Sequence, residues 1–289
     1  MQRSLYKIII SSILFITMMG CSNDTTDANT NNNSNKGNSS KTIDSLNIGD
    51  KVVDKSWSWE FRHGWDYTNY GDKEVTEPVV WIVVAKNHNQ ANSVTLMTEN
   101  LLGYLMFDAT TLNGIFAGYN HWGNSGQNAT VGIRPWLNST SPHEGEGFYN
   151  SFSSSFKGIV LASVVENKDY QNGESYTTTD FVYIPSNTEF GDTDYEGTYE
   201  IGKVFDYFIN PDYKRYEAKI LGYPWTDDYW TRSPYSAGYR PVGSVITSGF
   251  IGSEWADAQG NGVRAVVNVS SIVKISDEPN ENGVYEIVY

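Results

Sequence analysis

The sequence predicts an α+β fold: a single strand-rich domain with a few short helices and long loops. Six short apolar runs are rich in β-branched and aromatic residues and are bounded by Gly, Pro or Asn, which is typical of strands. Only two stretches have a pattern that favours a helix. No low-complexity segment follows the first 45 residues, so we expect one globular domain over residues 46–289.

The predicted elements follow from these patterns in chain order. One helix is expected at 131–138, with Thr130 as its N-cap, and another at 199–209, which Pro211 ends. The turn-rich segment DEPNENG before the last strand predicts a hairpin over 273–289. The six predicted strands cover 78–86, 93–99, 158–165, 179–186, 262–270 and 283–289.

Residues 1–20 have the pattern of a bacterial lipoprotein signal peptide. Arg3 and Lys7 precede an apolar run that is too short to span a bilayer. Gly20 stands directly before Cys21, which is the only cysteine of the chain. We therefore expect cleavage before Cys21 and lipid attachment to it; an ordinary secretory signal is the alternative.

Residues 21–45 predict a lipidated cysteine followed by a disordered tether. The segment consists almost entirely of Asn, Ser, Thr, Asp, Gly and Lys, and it has too little apolar surface to offset the entropy of an ordered chain. Lipid on Cys21 would attach the protein to the membrane without a spanning helix. The sequence thus predicts an exported protein, anchored to the bacterial membrane, with its domain on the extracytoplasmic side.

Charge and composition limit the partners. The formal net charge of −14 repels phosphate backbones, so nucleic acid is not expected as a partner. Aromatic residues make up 14% of the chain, a content typical of surfaces that stack on sugars or grip peptides. An extracellular glycan or a protein is therefore the expected ligand.

A set of landmarks in fixed order resembles the bacterial family described as domain of unknown function 6273. The resemblance covers roughly residues 46–275 and implies no established activity. The landmarks are IGD (48–50), PVVWIVV (78–84), HWGNS (121–125), IRPWLN (133–138), DFVYIPSNTEF (180–190), RYEAK (215–219), YWTRSP (229–234) and GVRAVVNVS (262–270).

YWTRSP followed by GVRAVV is also similar to the closing part of C-type-lectin-like folds, including those of the formylglycine-generating-enzyme type. That likeness implies that the two strands pack at the centre of the domain. The sequence departs from the unknown-function family at Ala265, where proline is usual, and in the segment 54–77, which is longer than the usual connection.

That longer segment supplies four of the candidate ligand-binding residues: Trp57, Trp59, Trp65 and Tyr67. Aromatic side chains in a loop of an exported acidic domain resemble a platform for a sugar or peptide. Covering the edge of the core is the other role for them, and it is the preferred interpretation. Asp227 and Asp228 precede the YWTRSP strand and are further candidates for ligand contact.

Three arginines of the chain are predicted to have a structural role. Arg134, Arg232 and Arg264 each stand close to apolar or aromatic residues, and Trp230 stands two positions before Arg232. Guanidinium groups in such settings stay charged and donate several fixed hydrogen bonds. We expect these four residues to tie loops to strands, with ligand contact by an arginine as the alternative.

The sequence offers no catalytic residues that we could name. It has no zinc-ligand spacing and no G-x-S-x-G serine motif, and the cysteine pair of the formylglycine-generating type is missing. Asp192, Asp194 and Glu196 resemble the start of a calcium loop, but Lys203 occupies the twelfth position, where an EF-hand requires Glu. A solvated acidic turn is the preferred interpretation and a looser calcium loop is the alternative; no other cofactor is expected.

Together these patterns predict a lipid-anchored, non-catalytic surface protein that binds an extracellular glycan or protein. An extracellular enzyme that acts on carbohydrate through unidentified carboxylates is one alternative. A structural or assembly role at the cell envelope is the other.

Overall fold

The fold is built mainly from short strands. In the part of the chain that the structure describes, eighteen strands accompany one 3-10 helix (Ile43–Ser45) and four short α-helices. The computed structural model describes residues 41–63, 76–108, 111–112, 115–116, 118–123, 132–138, 147–192, 197–210, 218–224 and 226–289.

The first nine strands are β1 (Lys51–Val53), β2 (Trp59–Glu60), β3 (Arg62–His63), β4 (Thr76–Glu77), β5 (Val80–Lys86), β6 (Ser93–Thr98), β7 (Gly103–Tyr104), β8 (Thr111–Leu112) and β9 (Ile115–Phe116). The others are β10 (Val160–Leu161), β11 (Ser163–Lys168), β12 (Ser175–Asp180), β13 (Tyr229–Pro234), β14 (Pro241–Val245), β15 (Ile251–Trp255), β16 (Val266–Ser270), β17 (Lys274–Ile275) and β18 (Val284–Val288). The helices are α1 (Ile133–Leu137), α2 (Phe148–Ser151), α3 (Ser154–Ile159) and α4 (Asp206–Ile209).

The expected α+β class is wrong, because the protein is mostly β. The longest described helix, α3, has six residues. The helix predicted at 199–209 shrinks to α4 because Gly202 adopts a left-handed φ of 76°, which interrupts helical geometry. The helix predicted at 131–138 is α1, and its N-cap is Gly132 rather than Thr130.

A seven-stranded mixed sheet forms the centre of the fold, in the order β10-β16-β6-β5-β1-β18-β17. All its pairs are antiparallel except β1 with β18, where Lys51 lies opposite Val284 in a parallel register. The predicted terminal hairpin is present as β17 and β18. This order places β1 between β5 and β18, so segments from opposite ends of the described chain complete the sheet.

The sheet's central strands are buried on both faces. All six residues of β6 are buried, as are the five inner residues of β5. Helices α2 and α3 cover part of the sheet with phenylalanines: the rings of Phe152 and Phe156 lie 6.4 and 5.8 Å from that of Trp81. Burial on both faces explains why β5 appears in the sequence as a nearly continuous apolar run, whereas β6 also buries Ser93, Thr95 and Thr98.

Four of the six predicted strands agree with the structure. Strands β5, β6, β16 and β18 lie within the runs predicted for them. The run 179–186 is a strand only as far as Asp180, because the chain then leaves β12, and Tyr183 forms a single bridge to Val266. Continuous burial of Val182, Tyr183 and Ile184 made this segment look like a strand.

Residues 41–45, assigned from the sequence to the tether, pack against the sheet. Ile43 is completely buried, and its backbone N donates to Val273 O at 2.8 Å. Within the described residues no helix is both long enough and apolar enough to cross a membrane.

A second, three-stranded sheet carries the surface considered below, in the order β13-β14-β15. All six residues of β13 are buried, whereas Ser253, Glu254 and Trp255 on the edge strand β15 are exposed. One side of this sheet therefore belongs to the core and its far edge to the surface.

Candidate functional site

Arg232 of the YWTRSP strand forms a buried ion pair with Glu189. Arg232 Nη2 donates to Glu189 Oε1 at 3.0 Å, and Nη1 contacts Oε2 and donates to Ile184 O at 2.8 Å. His88 Nε2 lies 3.0 Å from Glu189 Oε1. Burial alone would raise the pKa of Glu189, but Arg232 and His88 lower it below its ordinary value.

Arg134 belongs to a second buried cluster, centred on Asp180. Arg134 Nε donates to Asp180 Oδ1 at 2.9 Å, and Trp122 Nε1 donates to Oδ2 at 3.1 Å. Thr178 Oγ1 donates to the same Oδ2 at 2.6 Å. The carboxylate thus connects α1 and the 118–123 segment to the end of β12.

Arg264 lies apart from the Glu189 and Asp180 clusters, and among the described residues it has fewer hydrogen-bond partners than Arg232. Its Nε donates to Thr98 O at 2.9 Å, and its guanidinium carbon is 5.9 Å from the centre of the Tyr229 ring. The residue is buried, and Nη1 makes no hydrogen bond to any described residue. The structure does not bring the three arginines together into one site.

Trp230 and the two candidate tryptophans that the structure describes lie in the core. Trp230 is completely buried and donates from Nε1 to Leu105 O at 2.7 Å. The ring of Trp57 is 4.8 Å from that of Phe152, and the ring of Trp59 is 5.0 Å from that of Phe148. Both indoles are buried, which leaves little of either for a ligand. Trp65 and Tyr67 lie outside the described residues.

Asp227 and Asp228 are half-buried and hydrogen-bonded. Tyr104 Oη donates to Asp227 Oδ2 at 2.5 Å, and the backbone N of Thr247 donates to Asp228 Oδ1 at 2.7 Å. Burial raises the pKa of Asp228, the Thr247 hydrogen bond partly opposes this, and Asp227 and Glu254 add to the rise. These bonds hold the loop at the start of β13.

The calcium candidates lie mostly outside the described residues. Asp194 and Glu196 are not described, and Asp192 is half-buried at the end of a turn, where its backbone N donates to Asn187 O at 3.0 Å. Across the described ranges, no group of three His, Cys, Asp or Glu side chains is arranged to hold a metal ion.

An exposed group of residues at the edge of the three-stranded sheet has the chemistry of a binding surface. We call it the aromatic face; it consists of Tyr119, Tyr239, Arg240, Trp255 and Asp257. Trp255 is 56% exposed and Tyr239 is 44% exposed, whereas most other described aromatic residues are buried. Large exposed aromatic side chains of this kind mark binding sites more often than isolated small apolar residues do.

Arg240 holds the aromatic face together. Its guanidinium carbon lies 4.3 Å from the centre of the Trp255 ring, and Nη2 donates to both carboxylate oxygens of Asp257 at 2.7 and 2.6 Å. The hydrogen bonds that Arg240 donates to Asp257 raise the pKa of Arg240, although burial opposes this. Arg240 therefore holds the Trp255 indole in place on one side, and Asp257 holds Arg240 in position.

The backbone beneath fixes the positions of these side chains. Pro241 pairs with Trp255 in the β14–β15 register, and Ala256 N donates to Arg240 O at 2.8 Å. Asn120 N donates to Tyr239 O at 2.7 Å, while the rings of Tyr119 and Tyr239 lie 5.3 Å apart. A Cβ on Gly118 would lie 2.7 Å from Asp108 O, so glycine permits this close approach.

The buried amide of Asn120 anchors the same region from below. Its Nδ2 lies within 2.8, 2.9 and 3.3 Å of the carbonyl oxygens of Gly238, Pro241 and Tyr235. The turn that carries Tyr239 and Arg240 is thereby fixed to the 118–123 segment. The aromatic face rests on a rigid support.

Tyr239 and Trp255 were not predicted from the sequence, because clustered tryptophans were interpreted as a candidate binding surface. Clustering in this chain indicates core packing, as Trp57 and Trp59 show. The signal that was available is the largely polar surrounding of Trp255 in GSEWADAQGNG, where Ala256 and Ala258 are the only apolar neighbours apart from glycines.

The family model described as Domain of unknown function (DUF6273) matches residues 91–271. No curated protein and no solved structure matches the chain. The likeness to C-type-lectin-like folds is therefore not confirmed.

Proposed function

Because the chain belongs to the DUF6273 family, whose description names no activity, we propose its function from the chemistry of its surface. The protein binds an uncharged extracellular glycan at the aromatic face, without catalysis. The single observation that carries this proposal is the exposed indole of Trp255, held by Arg240 beside Tyr239.

The energetics of exposure support a ligand for Trp255. Burying a large apolar side chain stabilises a protein by roughly 1.5–3 kcal/mol, and Trp255 forgoes much of this gain because more than half of its surface is open. Its neighbour Arg240 restricts its orientation, which reduces the ordering that a ligand would have to impose. A flat ring fixed in this way suits the apolar face of a sugar.

The polar groups around the indole fit a sugar better than a protein. Protein interfaces are centred on well-packed apolar patches from which water is excluded. Here Arg240 contacts the indole, and its partner Asp257 and its chain neighbour Tyr239 add carboxylate and hydroxyl groups to the face. These groups can exchange hydrogen bonds with sugar hydroxyls. The net charge of −14 disfavours an anionic glycan.

We also propose that the protein is an exported lipoprotein. The charged and apolar pattern of residues 1–20, the Gly20–Cys21 pair and the polar segment that follows support lipid attachment at Cys21 and an extracytoplasmic domain. Incorporation of labelled palmitate into the protein, lost in Cys21→Ser, tests this. Equal labelling of the variant would refute the anchor.

The glycan proposal is tested by screening the purified full chain on a glycan array and measuring affinities by calorimetry. We expect Trp255→Ala to weaken binding at least about tenfold, because it removes the central contact of the site. Phe250→Ala is the matched control, since Phe250 is 70% exposed and lies at the other end of β15.

Three outcomes would overturn the proposal. Unchanged binding by Trp255→Ala would show that the aromatic face is not the site, and binding to proteins alone would show that the ligand is not a glycan. Release of shorter sugars from any bound polysaccharide would show that the protein is an enzyme.

A further inference from the structure

A second group of aromatic side chains adjoins the aromatic face. We call it the tyrosine row; it consists of Tyr170, Tyr176, Tyr199 and Tyr235, all of which are half-buried. Half-buried tyrosines present one part of the ring to the protein and leave the remainder to solvent. Four of them on adjoining segments form a surface that the function proposed above does not use.

Contacts within the tyrosine row join three segments of the chain. Tyr199 Oη donates to Tyr170 O at 3.2 Å. Gly197, with a left-handed φ of 89°, lets the Tyr235 ring approach so closely that a Cβ there would lie 2.5 Å from it. Ser236 N also donates to Gly197 O at 2.6 Å. These contacts fix the spacing of the tyrosines.

The segment 119–121 connects the tyrosine row to the aromatic face. Tyr119 contacts Tyr239 of the aromatic face, and Asn120 bonds to the carbonyl oxygen of Tyr235 in the row. The next residue, His121, has its ring 5.4 Å from that of Tyr170 and 6.4 Å from that of Tyr176. Three consecutive residues therefore touch both groups, which makes the two surfaces neighbours.

Among the described residues that form this combined surface, no unpaired cation is available to attract a charged polymer. Arg240 is neutralised by Asp257, and burial lowers the pKa of His121, although Asp169 partly opposes this, so the imidazole is uncharged at neutral pH. The carboxylate Oδ2 of Asp169 lies 3.9 Å from His121 Nε2. The charges at this surface repel an anionic chain.

We propose that the ligand is a linear, uncharged polysaccharide, which extends from the aromatic face along the tyrosine row and places successive sugars on the two surfaces. This inference rests on the proposed function and adds the class of ligand. A single sugar ring would occupy only the aromatic face, whereas a chain of several sugars would also contact the tyrosine row.

The experiment measures the affinity of the full chain for neutral oligosaccharides of increasing length. The probes are cello-, xylo- and malto-oligosaccharides of two to six units, with oligogalacturonates of the same lengths as the anionic counterparts. For at least one neutral series, we expect the hexamer to bind about tenfold more tightly than the dimer, because each further contact adds binding free energy.

Variants separate the two surfaces. We expect Tyr170→Ala to bring the ratio of hexamer to dimer affinity close to one, and Trp255→Ala to weaken the binding of every length. Tyr285→Ala is the control: Tyr285 is a half-buried tyrosine on β18 under Lys41, and its removal should leave the ratio unchanged. Thermal melting of each variant checks that the fold is retained.

The outcomes distinguish this inference from the proposed function. Binding that requires Trp255 but does not depend on length, or that survives Tyr170→Ala with an unchanged ratio, overturns the extended site and leaves the glycan-binding function intact. Tighter binding of the galacturonates overturns the uncharged ligand. No binding of any probe, with none on the glycan array, overturns both.

Discussion

Glu189 and Arg232 form an ion pair that is withdrawn from solvent, with Arg232 Nη2 3.0 Å from Glu189 Oε1 and side-chain exposures of 0% and 1%. The pair joins β13 to the segment after β12, and His88 and the backbone N of Ser186 complete the hydrogen bonding of the carboxylate. Removing one partner of a buried pair leaves an uncompensated charge.

We predict that Arg232→Met lowers the free energy of unfolding by about 3–5 kcal/mol, because it leaves Glu189 buried without its cation. Urea denaturation monitored by tryptophan fluorescence measures the change. Lys55→Met is the control, since the Lys55–Glu286 pair is exposed and is expected to contribute less than about 1 kcal/mol. Equal effects of the two substitutions would refute the assignment.

Arg264→Met should be milder than Arg232→Met, although both arginines are buried. Among the described residues Arg264 donates to Thr98 O and forms no ion pair, so its replacement strands no carboxylate. We expect a loss of about 1–2 kcal/mol, the effect of leaving one buried carbonyl unsatisfied. A loss as large as that of Arg232→Met in the same urea titration would contradict this difference.

We expect His121 to make the stability of the protein depend on pH. Its pKa lies below the ordinary 6.5 because burial lowers it more than Asp169 raises it. The unfolded chain therefore takes up a proton near pH 6.5 that the folded chain takes up only at lower pH. The contribution of His121 to the free energy of unfolding is fully present above pH 6.5. It is lost as the pH falls from there towards the pKa of His121 in the folded state.

The test compares wild type with His121→Gln. We expect the free energy of unfolding of the wild type to fall between about pH 6.5 and 5, and this slope to be reduced in the variant, which has no proton to gain. Chemical denaturation at four pH values in this interval measures both slopes. Parallel slopes would show that His121 does not titrate differently in the two states.

Asn120→Asp should destabilise the support of the aromatic face. The amide Nδ2 faces the carbonyl oxygens of Gly238, Pro241 and Tyr235, and an isosteric carboxylate would place negative charge against all three. We expect the free energy of unfolding to fall by at least about 2 kcal/mol, with the deficit reduced at acidic pH, where the aspartate is protonated. Asn282→Asp, at an exposed turn, serves as the control; a similar loss there would refute the explanation.

The sequence predicted strands such as β5 and β6 because their β-branched residues and the turn residues that flank them are typical of strands. It failed where tertiary contacts decide. Val182, Tyr183 and Ile184 are as buried as a central strand but lie outside one, and Gly202 interrupts the helix predicted at 199–209.

The residues of the candidate site could likewise be predicted only in part from the sequence. That Arg232 would be a structural arginine could be expected from its apolar neighbours, but its partner Glu189 is 43 residues away and follows only from the fold. Trp57 and Trp59 were expected in a loop and lie in an aromatic cluster instead, since no local pattern reveals that Phe148 and Phe152 pack on them. The exposure of Trp255 depends on its place at a sheet edge, which a single sequence does not encode locally.

The parallel pairing of β1 with β18 has a consequence for how the protein matures. Strand β1 is synthesised well before its partner at Val284–Val288, and Tyr289 Oη donates to Asp54 Oδ2 across 235 residues. Contacts between such distant segments slow folding. The central sheet therefore cannot be completed until β18 has been synthesised, and until then the edge of β1 that pairs with β18 has no partner strand.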